Sequence, residues 1–582
     1  MSFIQLQKAG RGEKPTTYVT LAVSQRTPGK KHPHQIRTHL GCLTPDGNDV
    51  VVSKLFAGTS HVHVPLKALK DVAVQGEAAV LQWLKQQVPD ENSNCISTVC
   101  KPASDKVSLI KKVGITHLLE TIATSLGLDE VLATSFNCQG GFDGSALLYL
   151  AYYQVAERRP LYQAYAWMNE HDVPDAINNY DLSSTGTSRL TIRIGKETAA
   201  FETFFRLWIK KLNAPSSLIF DTTSVSSYSE NLDFAEWGYN RDCESLPQVN
   251  ISLVSSREAS LPLYYRVLPG SIPDVTSLKV TIELLKELGI KDYTSSLDRG
   301  FYSSANIRSM LENSIGFVLG ASQSSAQTKQ LIKKHQDILR SPRYSIEHNG
   351  NIVRHAVDKW TVDMGKGEET KELDAHIYWD YTRQSVKEKD LECKLFQWCF
   401  KSRQDMPQGF ATKEEAALWI KENAKNNASL LHAVMADTKW IIERDTDAIE
   451  LCAANKGFTV VLTTKRGASG VEILDDYRSR DKVEKLFDIL KNENGMHRLN
   501  SGNHHAVLGR LFIAFIATII HTELENRMKK ANLLKKYSVS ELLAVVRKLE
   551  SVTMESGNEY MMEITKAQRE IFKALEIPIP TV

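Results

Sequence analysis

Between residues 214 and 320 short apolar runs alternate with amphipathic stretches, each bounded by polar or glycine-bearing turns. Leu218-Ile219-Phe220 runs into Asp221 and predicts a buried strand that delivers a carboxylate at its end. Val249–Ser255 and Leu261–Val267 predict two strands joined by a hairpin over 256–260. Asp274–Leu288 carries Ile282, Leu284, Leu285 and Leu288 at helical spacing, and Gly289 is placed to stop it. Tyr293–Leu297 predicts a further strand, ending in Asp298; Ser303–Glu312 predicts a helix and Ile315–Leu319 another strand. The order is strand-Asp, strand, strand, helix, strand-Asp, helix, strand: an α/β core inside a multidomain α+β chain.

Outside that core the pattern changes. Residues 1–105 read as a basic, strand-rich amino-terminal region, with Tyr18–Val23 and Gln35–Leu40 bracketing the turn Pro28-Gly29-Lys30. Residues 106–213 read as a helical domain containing Ile115–Leu126, Ser145–Ala156 and Glu197–Leu212. Residues 321–470 form an insertion, with strands near Arg343–Val357, His376–Tyr381 and Gly457–Thr464 and helices near Ser385–Lys401 and Lys413–Lys421. The core is completed over 471–530, and 531–582 reads as a helical tail, with Ala506–Lys530 and Val539–Glu550 as helices.

The stretch Tyr477–Lys491, YRSRDKVEKLFDILK, predicts one amphipathic helix. At 3.6 residues per turn, Tyr477, Arg480, Glu484 and Lys491 fall within roughly 60° of one another, beside the apolar set Val483, Leu486, Phe487 and Leu490. A carboxylate between two cations suits a group that holds a metal while its neighbours grip phosphates. The plainer alternative is a solvated face with ordinary i, i+4 partners. Asp475 and Asp476 read as caps at the start of this helix, and Asp488 is a competing carboxylate one turn beyond Glu484. Asp221 could equally be a cap or Asx turn, and Asp298 a turn residue before Gly300.

The spacing Tyr-x2-Arg-x3-Glu-x6-Lys at Tyr477, Arg480, Glu484 and Lys491 resembles the signature of bacterial insertion-sequence DDE transposases. "FDTTS" at Phe220–Ser224, "LDRGF" at Leu297–Phe301, "GYNRDCESLPQVNISL" at Gly238–Leu253 and "LPGSIPDVTSL" at Leu268–Leu278 are similar to that family's other segments. The resemblance implies a ribonuclease-H-like core of mixed sheet flanked by helices, related to retroviral integrases and interrupted by a strand-containing insertion before the Glu-bearing helix. It implies a catalytic, metal-holding triad of Asp221, Asp298 and Glu484 with two Mg²⁺ ions, Mn²⁺ being able to substitute. Tyr477, Arg480 and Lys491 would bind DNA phosphates. The activity implied is cut-and-paste cleavage and joining of double-stranded DNA, at terminal inverted repeats and a target, by a homodimer that synapses two ends. Two other functions fit the same residues: an inactive transposase-derived DNA-binding protein, and a ribonuclease-H-like nuclease that cuts without joining. By the same resemblance, a flipped base could stack on an insertion aromatic, with Trp360, Trp379, Trp398, Trp419 and Trp440 as candidates.

Composition narrows this only slightly. A net charge of +2 announces no global basic field. Charge is uneven, however: Lys8, Arg11, Lys14, Arg26, Lys30, Lys31 and Arg37 face only Glu13, with His32, His34 and His39 among or beside them. Arg527, Lys529, Lys530, Lys535 and Lys536 form a second patch, and both suit DNA contact. The eight cysteines show neither a CxxC pair nor zinc spacing and read as reduced cytosolic thiols. No secretory signal is visible at Met1–Ala9, and Leu511–Ile520 reads as a buried helix too short to span a bilayer, so no membrane partner is expected. No glycine-rich phosphate loop appears, and no nucleotide cofactor is expected. These features predict an intracellular protein, and the resemblance implies a bacterial cytoplasmic one, associated with the nucleoid when bound to DNA.

Overall fold

Of the 582 residues, the computed structural model describes 2–9, 16–25, 34–53, 62–87, 106–136, 144–178, 180–229, 231–242, 244–365, 369–454 and 456–581. Two compact units emerge: residues 1–110 with 552–560, and residues 111–551 with 561–582. In the first, Ser2–Ala9, Thr16–Gln25, His34–Leu43, Asp49–Val52 and His63–Pro65 form an antiparallel sheet in sequence order. Helices Leu66–Ala73 and Glu77–Gln87 follow, and Val19, Leu21, Leu40, Val50, Val64 and Leu69 make the core. The turn Pro28-Gly29-Lys30 lies outside the described residues, as do Arg11, Glu13, Lys14, Arg26, Lys31 and His32.

The second unit is built on a mixed sheet. Its strands are β1 (Ser217–Ser227), β2 (Gln248–Ser256), β3 (Pro262–Pro269), β4 (Thr294–Leu297), β5 (Gly316–Gly320), β6 (Ser345–His348), β7 (Asn351–Val362), β8 (Lys371–Trp379), β9 (Phe458–Thr463) and β10 (Arg498–Leu499). The order is β6-β7-β8-β9-β5-β4-β1-β2-β3. The central β5, β4 and β1 are parallel, while β2, β3 and β6–β9 pair antiparallel. Parallel strands need covering on both faces, which explains the runs Leu218-Ile219-Phe220 and Phe317-Val318-Leu319, all buried. The mixed α+β class expected from the sequence is the class observed.

Helices α1 (Asp274–Glu287) and α2 (Ser304–Glu312) connect the strands, and α3 (Gly470–Arg478), α4 (Asp481–Asp488) and α5 (His504–Lys530) follow the sheet. By length and composition α5 could cross a membrane, but most of it is buried in the core of this unit. Strands from segment 321–470 extend the same sheet, as β6–β9. The part between β8 and β9 has its own small core, where helices Tyr381–Asp405 and Lys413–Ala424 pack with the hairpin Leu431–Ala436/Lys439–Arg444 through Leu395, Phe410, Ala416 and Ile442. Trp398, Trp419 and Trp440 are partly buried against that core, whereas Trp360 is buried in the main one.

Four local expectations need correction. Asp221 does not end its strand: β1 continues to Ser227, because β2 still pairs with it and β10 joins at Ser226–Ser227. Tyr477–Lys491 is not one α-helix. It breaks at Ser479–Arg480 between α3 and α4, and Ile489–Glu493 is a π turn. The wide turn lets Asn494 bury its side chain, donating to Thr518 Oγ1 at 2.8 Å. Asp475 and Asp476 do not cap a helix start; Ser469 caps α3, and both aspartates sit in its last turns, paired with Arg257. Finally, the tail is not wholly helical. Helix Val539–Val546 gives way to strands Glu550–Met554 and Glu559–Met561, with β-branched Val552 and Thr553 in the first, Tyr560 in the second and a turn at Gly557 between them.

Candidate active site

The site starts from one register step. β4 runs parallel to β1 with Leu297 beside Phe220, so the next residue on each is an aspartate, Asp298 and Asp221. β4 ends there, and β1 continues past it. A missing neighbour at that point leaves a notch in the sheet, and both carboxylates stand at its mouth. Asp221 is largely buried and Asp298 half-exposed. Helix α4 packs against β1 and carries Glu484. It is exposed on the helix face away from Val483, Leu486 and Phe487, which are buried.

Tyr477 and Arg480 converge on Asp298. The Tyr477 hydroxyl donates to Asp298 Oδ1 at 3.4 Å, and Arg480 forms an ion pair with the same oxygen. The guanidinium also lies over the Tyr477 ring, 4.5 Å from its centroid. Burial pushes the Tyr477 phenol up from its ordinary value, so it stays a donor. Lys491 goes elsewhere: it is buried in the π turn, and its Nζ meets Asp242 at 2.8 Å. The structure thus places Tyr477 and Arg480 together on Asp298, Glu484 near Asp221, and Lys491 on a separate carboxylate.

Arg241 was not singled out by sequence, and Asp242 and Asp274 read there only as competing carboxylates in loops or at helix starts. Arg241 reaches Asp221 at 3.4 Å and Asp274, the first residue of α1, at 2.6 Å. Its own backbone is pinned, since its N–H donates to Ser224 Oγ at 2.9 Å. Asp274 closes the group: a Cβ on Gly300, two residues past Asp298, would lie 3.1 Å from its Oδ2. The loop bearing Arg241 and Asp242 is held close by glycine. A Cβ on Gly238 would meet the Gly270 carbonyl at 2.0 Å. The Gly238–Leu253 and Leu268–Leu278 segments contain Arg241, Asp242 and Asp274 without marking a partner for any of them.

Among the described residues no set of three or more His, Cys, Asp or Glu side chains is gathered as a metal cluster. The donor chemistry nonetheless suits a hard divalent cation, being entirely carboxylate oxygen. Asp221 is pushed up to about 6, first by burial, against the pull of Arg241 and the Thr222 N–H, and further by Asp274 and Glu484. One arm of Arg241 offsets only part of the cost of a buried carboxylate beside two others, and a divalent cation would offset more of it.

Residues 213–520, more than half of the chain, match the transposase DDE domain family. The chain belongs to that family. Transposases of this kind act on DNA, and they generally use divalent metal ions. Among solved structures, a piggyBac transposase synaptic complex with hairpin DNA aligns over 74% of this transposase and 76% of that chain, at 10% identity and a TM-score of 0.32. No curated protein matches it.

Proposed function

We propose that this transposase binds the ends of an insertion sequence and carries out metal-dependent DNA strand cleavage and strand transfer through a ribonuclease-H-like core. Asp221, Asp298 and Glu484 are the triad in this reading, with two Mg²⁺ ions as the natural metal. The observation that supports it is the register step that stands Asp298 beside Asp221 at the notch, with the Glu484 helix packed on β1. When bound, the ions would neutralise charge on the phosphate under attack and on the departing oxygen.

The protein's own side chains divide the remaining work. Tyr477 and Arg480 fix the rotamer of Asp298, and the outer edge of the Arg480 guanidinium offers donors to a phosphate. Glu484, on the helix packed against β1, completes the carboxylate set. Lys491 neutralises Asp242, keeping a negative charge from opposing the DNA backbone. Two inverted-repeat ends must be held together for cut-and-paste transfer, and a homodimer working on cytoplasmic, nucleoid DNA meets that need.

The test uses a labelled duplex from the element's own end, with Mg²⁺. Asp221→Asn, Asp298→Asn and Glu484→Gln should each lower cleavage by at least about a hundredfold while the duplex still binds, since these groups act on the transition state. A variant that cleaves like the parent removes its residue from the triad.

A further inference from the structure

Arg241 occupies an unusual place. It sits on Asp221, a residue assigned to cation binding, yet its tighter grip is on Asp274, at 2.6 Å against 3.4 Å. The two contacts use different guanidinium nitrogens, Nη1 on Asp221 and Nη2 on Asp274. One can therefore break without the other. The backbone is not free to follow, because the Arg241 N–H is tied to Ser224 Oγ on β1 and Asn240 Nδ2 donates to Ser226 Oγ at 3.0 Å. Arg241 is thus a cation on a fixed base, anchored by one carboxylate and leaning on another.

We propose that Arg241 is a resident counter-ion of Asp221, which divalent-cation loading displaces onto Asp274. This rests on the assignment of Asp221 to metal binding given above. With no cation bound, a buried carboxylate with Asp274 and Glu484 nearby is costly, and one arm of Arg241 offsets part of that cost. A divalent ion competes for the same oxygen, so its affinity is reduced by whatever the Arg241 contact contributes. Asp274 makes the exchange reversible: it keeps the guanidinium charge-compensated after it leaves Asp221, one side chain away. Arg480 on Asp298 is a second cation on a triad carboxylate, but among the described residues it pairs with no second carboxylate, so the relay is specific to Arg241.

The full chain without DNA is titrated with Mn²⁺ while free Mn²⁺ is followed by electron paramagnetic resonance. Arg241→Gln should bind Mn²⁺ on the order of tenfold more tightly than the parent, the scale of one partly buried charge contact. Asp274→Asn should bind it more weakly, because Arg241 then leans wholly on Asp221. The double variant decides between relay and plain electrostatics. Acting through Arg241, Asp274→Asn changes little in the Arg241→Gln background, whereas simple loss of a nearby negative charge gives the same weakening in both. Parent-like Mn²⁺ binding by Arg241→Gln, or additive effects in the double variant, overturns the relay. Asp221→Asn separates the two readings: if it fails to weaken Mn²⁺ binding, the metal assignment falls and the relay with it. If it does weaken binding, a negative Arg241 result sinks the relay alone. Should Arg241→Gln not fold, Arg241→Lys keeps the charge but cannot span both carboxylates, and tighter Mn²⁺ binding by that variant is the supporting outcome.

Discussion

Gly320, at the end of β5, faces Tyr477 so closely that a Cβ there would lie 2.5 Å from the phenol oxygen. The oxygen that would be struck is the one that donates to Asp298. Gly320→Ala should therefore push the ring off Asp298 and disturb the Arg480 guanidinium stacked on it. Cleavage should fall by roughly ten- to a hundredfold, the scale of a small misplacement at a reacting centre. The thermal midpoint should drop too, through overpacking of about 1–3 kcal/mol. Tyr477→Phe, which removes the hydroxyl and keeps the ring, separates the two effects in a paired cleavage and melting experiment: it should lose activity with little loss of stability.

The π turn gives a second prediction. Asn494 is buried, donates to Thr518 Oγ1 and the Ala514 carbonyl, and offers its own carbonyl to Gln154 Nε2 at 2.8 Å. Asn494→Ala strips both side-chain bonds and should cost about 1–3 kcal/mol in urea unfolding. Asn492→Ala, two residues earlier, loses only an exposed bond to Asp488 and should stay within about 0.5 kcal/mol of the parent. Equal losses at the two positions would mean that the turn is not anchored by Asn494.

Acid should destabilise this protein before most of its carboxylates titrate. Burial pushes His171 and His521 down to about 4. Above pH 6.5 both are neutral whether folded or unfolded. As pH falls from 6.5 towards 4 the unfolded chain takes up protons that the folded one refuses, so stability declines, by on the order of 3 kcal/mol for each buried ring. Asp221 works in the opposite direction. Held at about 6 in the fold, it takes up a proton there first, and so offsets part of the loss between pH 6 and its ordinary value. Urea midpoints at pH 7, 6 and 5 should fall in that order, and His521→Leu should flatten the curve.

Much of the core could be read from the order of elements. The hairpin β2–β3, helix α1 and strand β5 fall within one or two residues of their expected bounds, because their apolar periods and stop signals lie in consecutive residues. Where structure depends on a distant partner, local pattern misleads. Nothing in Asp221-Thr222-Thr223-Ser224 says that the strand continues; β2 and β10 decide it. The break at Ser479–Arg480 leaves the heptad-like apolar spacing intact, so a helical wheel cannot detect it. Arg241 carries no signal of its own, since its role exists only through Asp221 and Asp274, 20 and 33 residues away.

Lys491 supplies the last prediction, because its fourth place in the Tyr-Arg-Glu-Lys series and its position in the structure point to different partners. As a phosphate anchor it should contribute a slope of about −0.9 in log affinity against log salt. In the structure its Nζ is 2.8 Å from Asp242 Oδ2 and the residue is only 8% exposed, so it is engaged before DNA arrives. Lys491→Ala should then act in two ways. It leaves Asp242 unpaired, which should lower stability by more than Arg480→Ala does, since Asp298 retains the Tyr477 hydroxyl. It also exposes a negative charge to the DNA path, which should weaken end binding most at low salt and flatten the slope without the loss of a phosphate contact. Arg480→Ala should instead flatten the slope by about one contact. Adding Asp242→Asn to Lys491→Ala should restore most of the binding if charge neutralisation is the role of Lys491, and none of it if Lys491 itself grips phosphate. A salt titration of end-duplex affinity for the three variants and the parent, with melting curves alongside, reads out each of these differences.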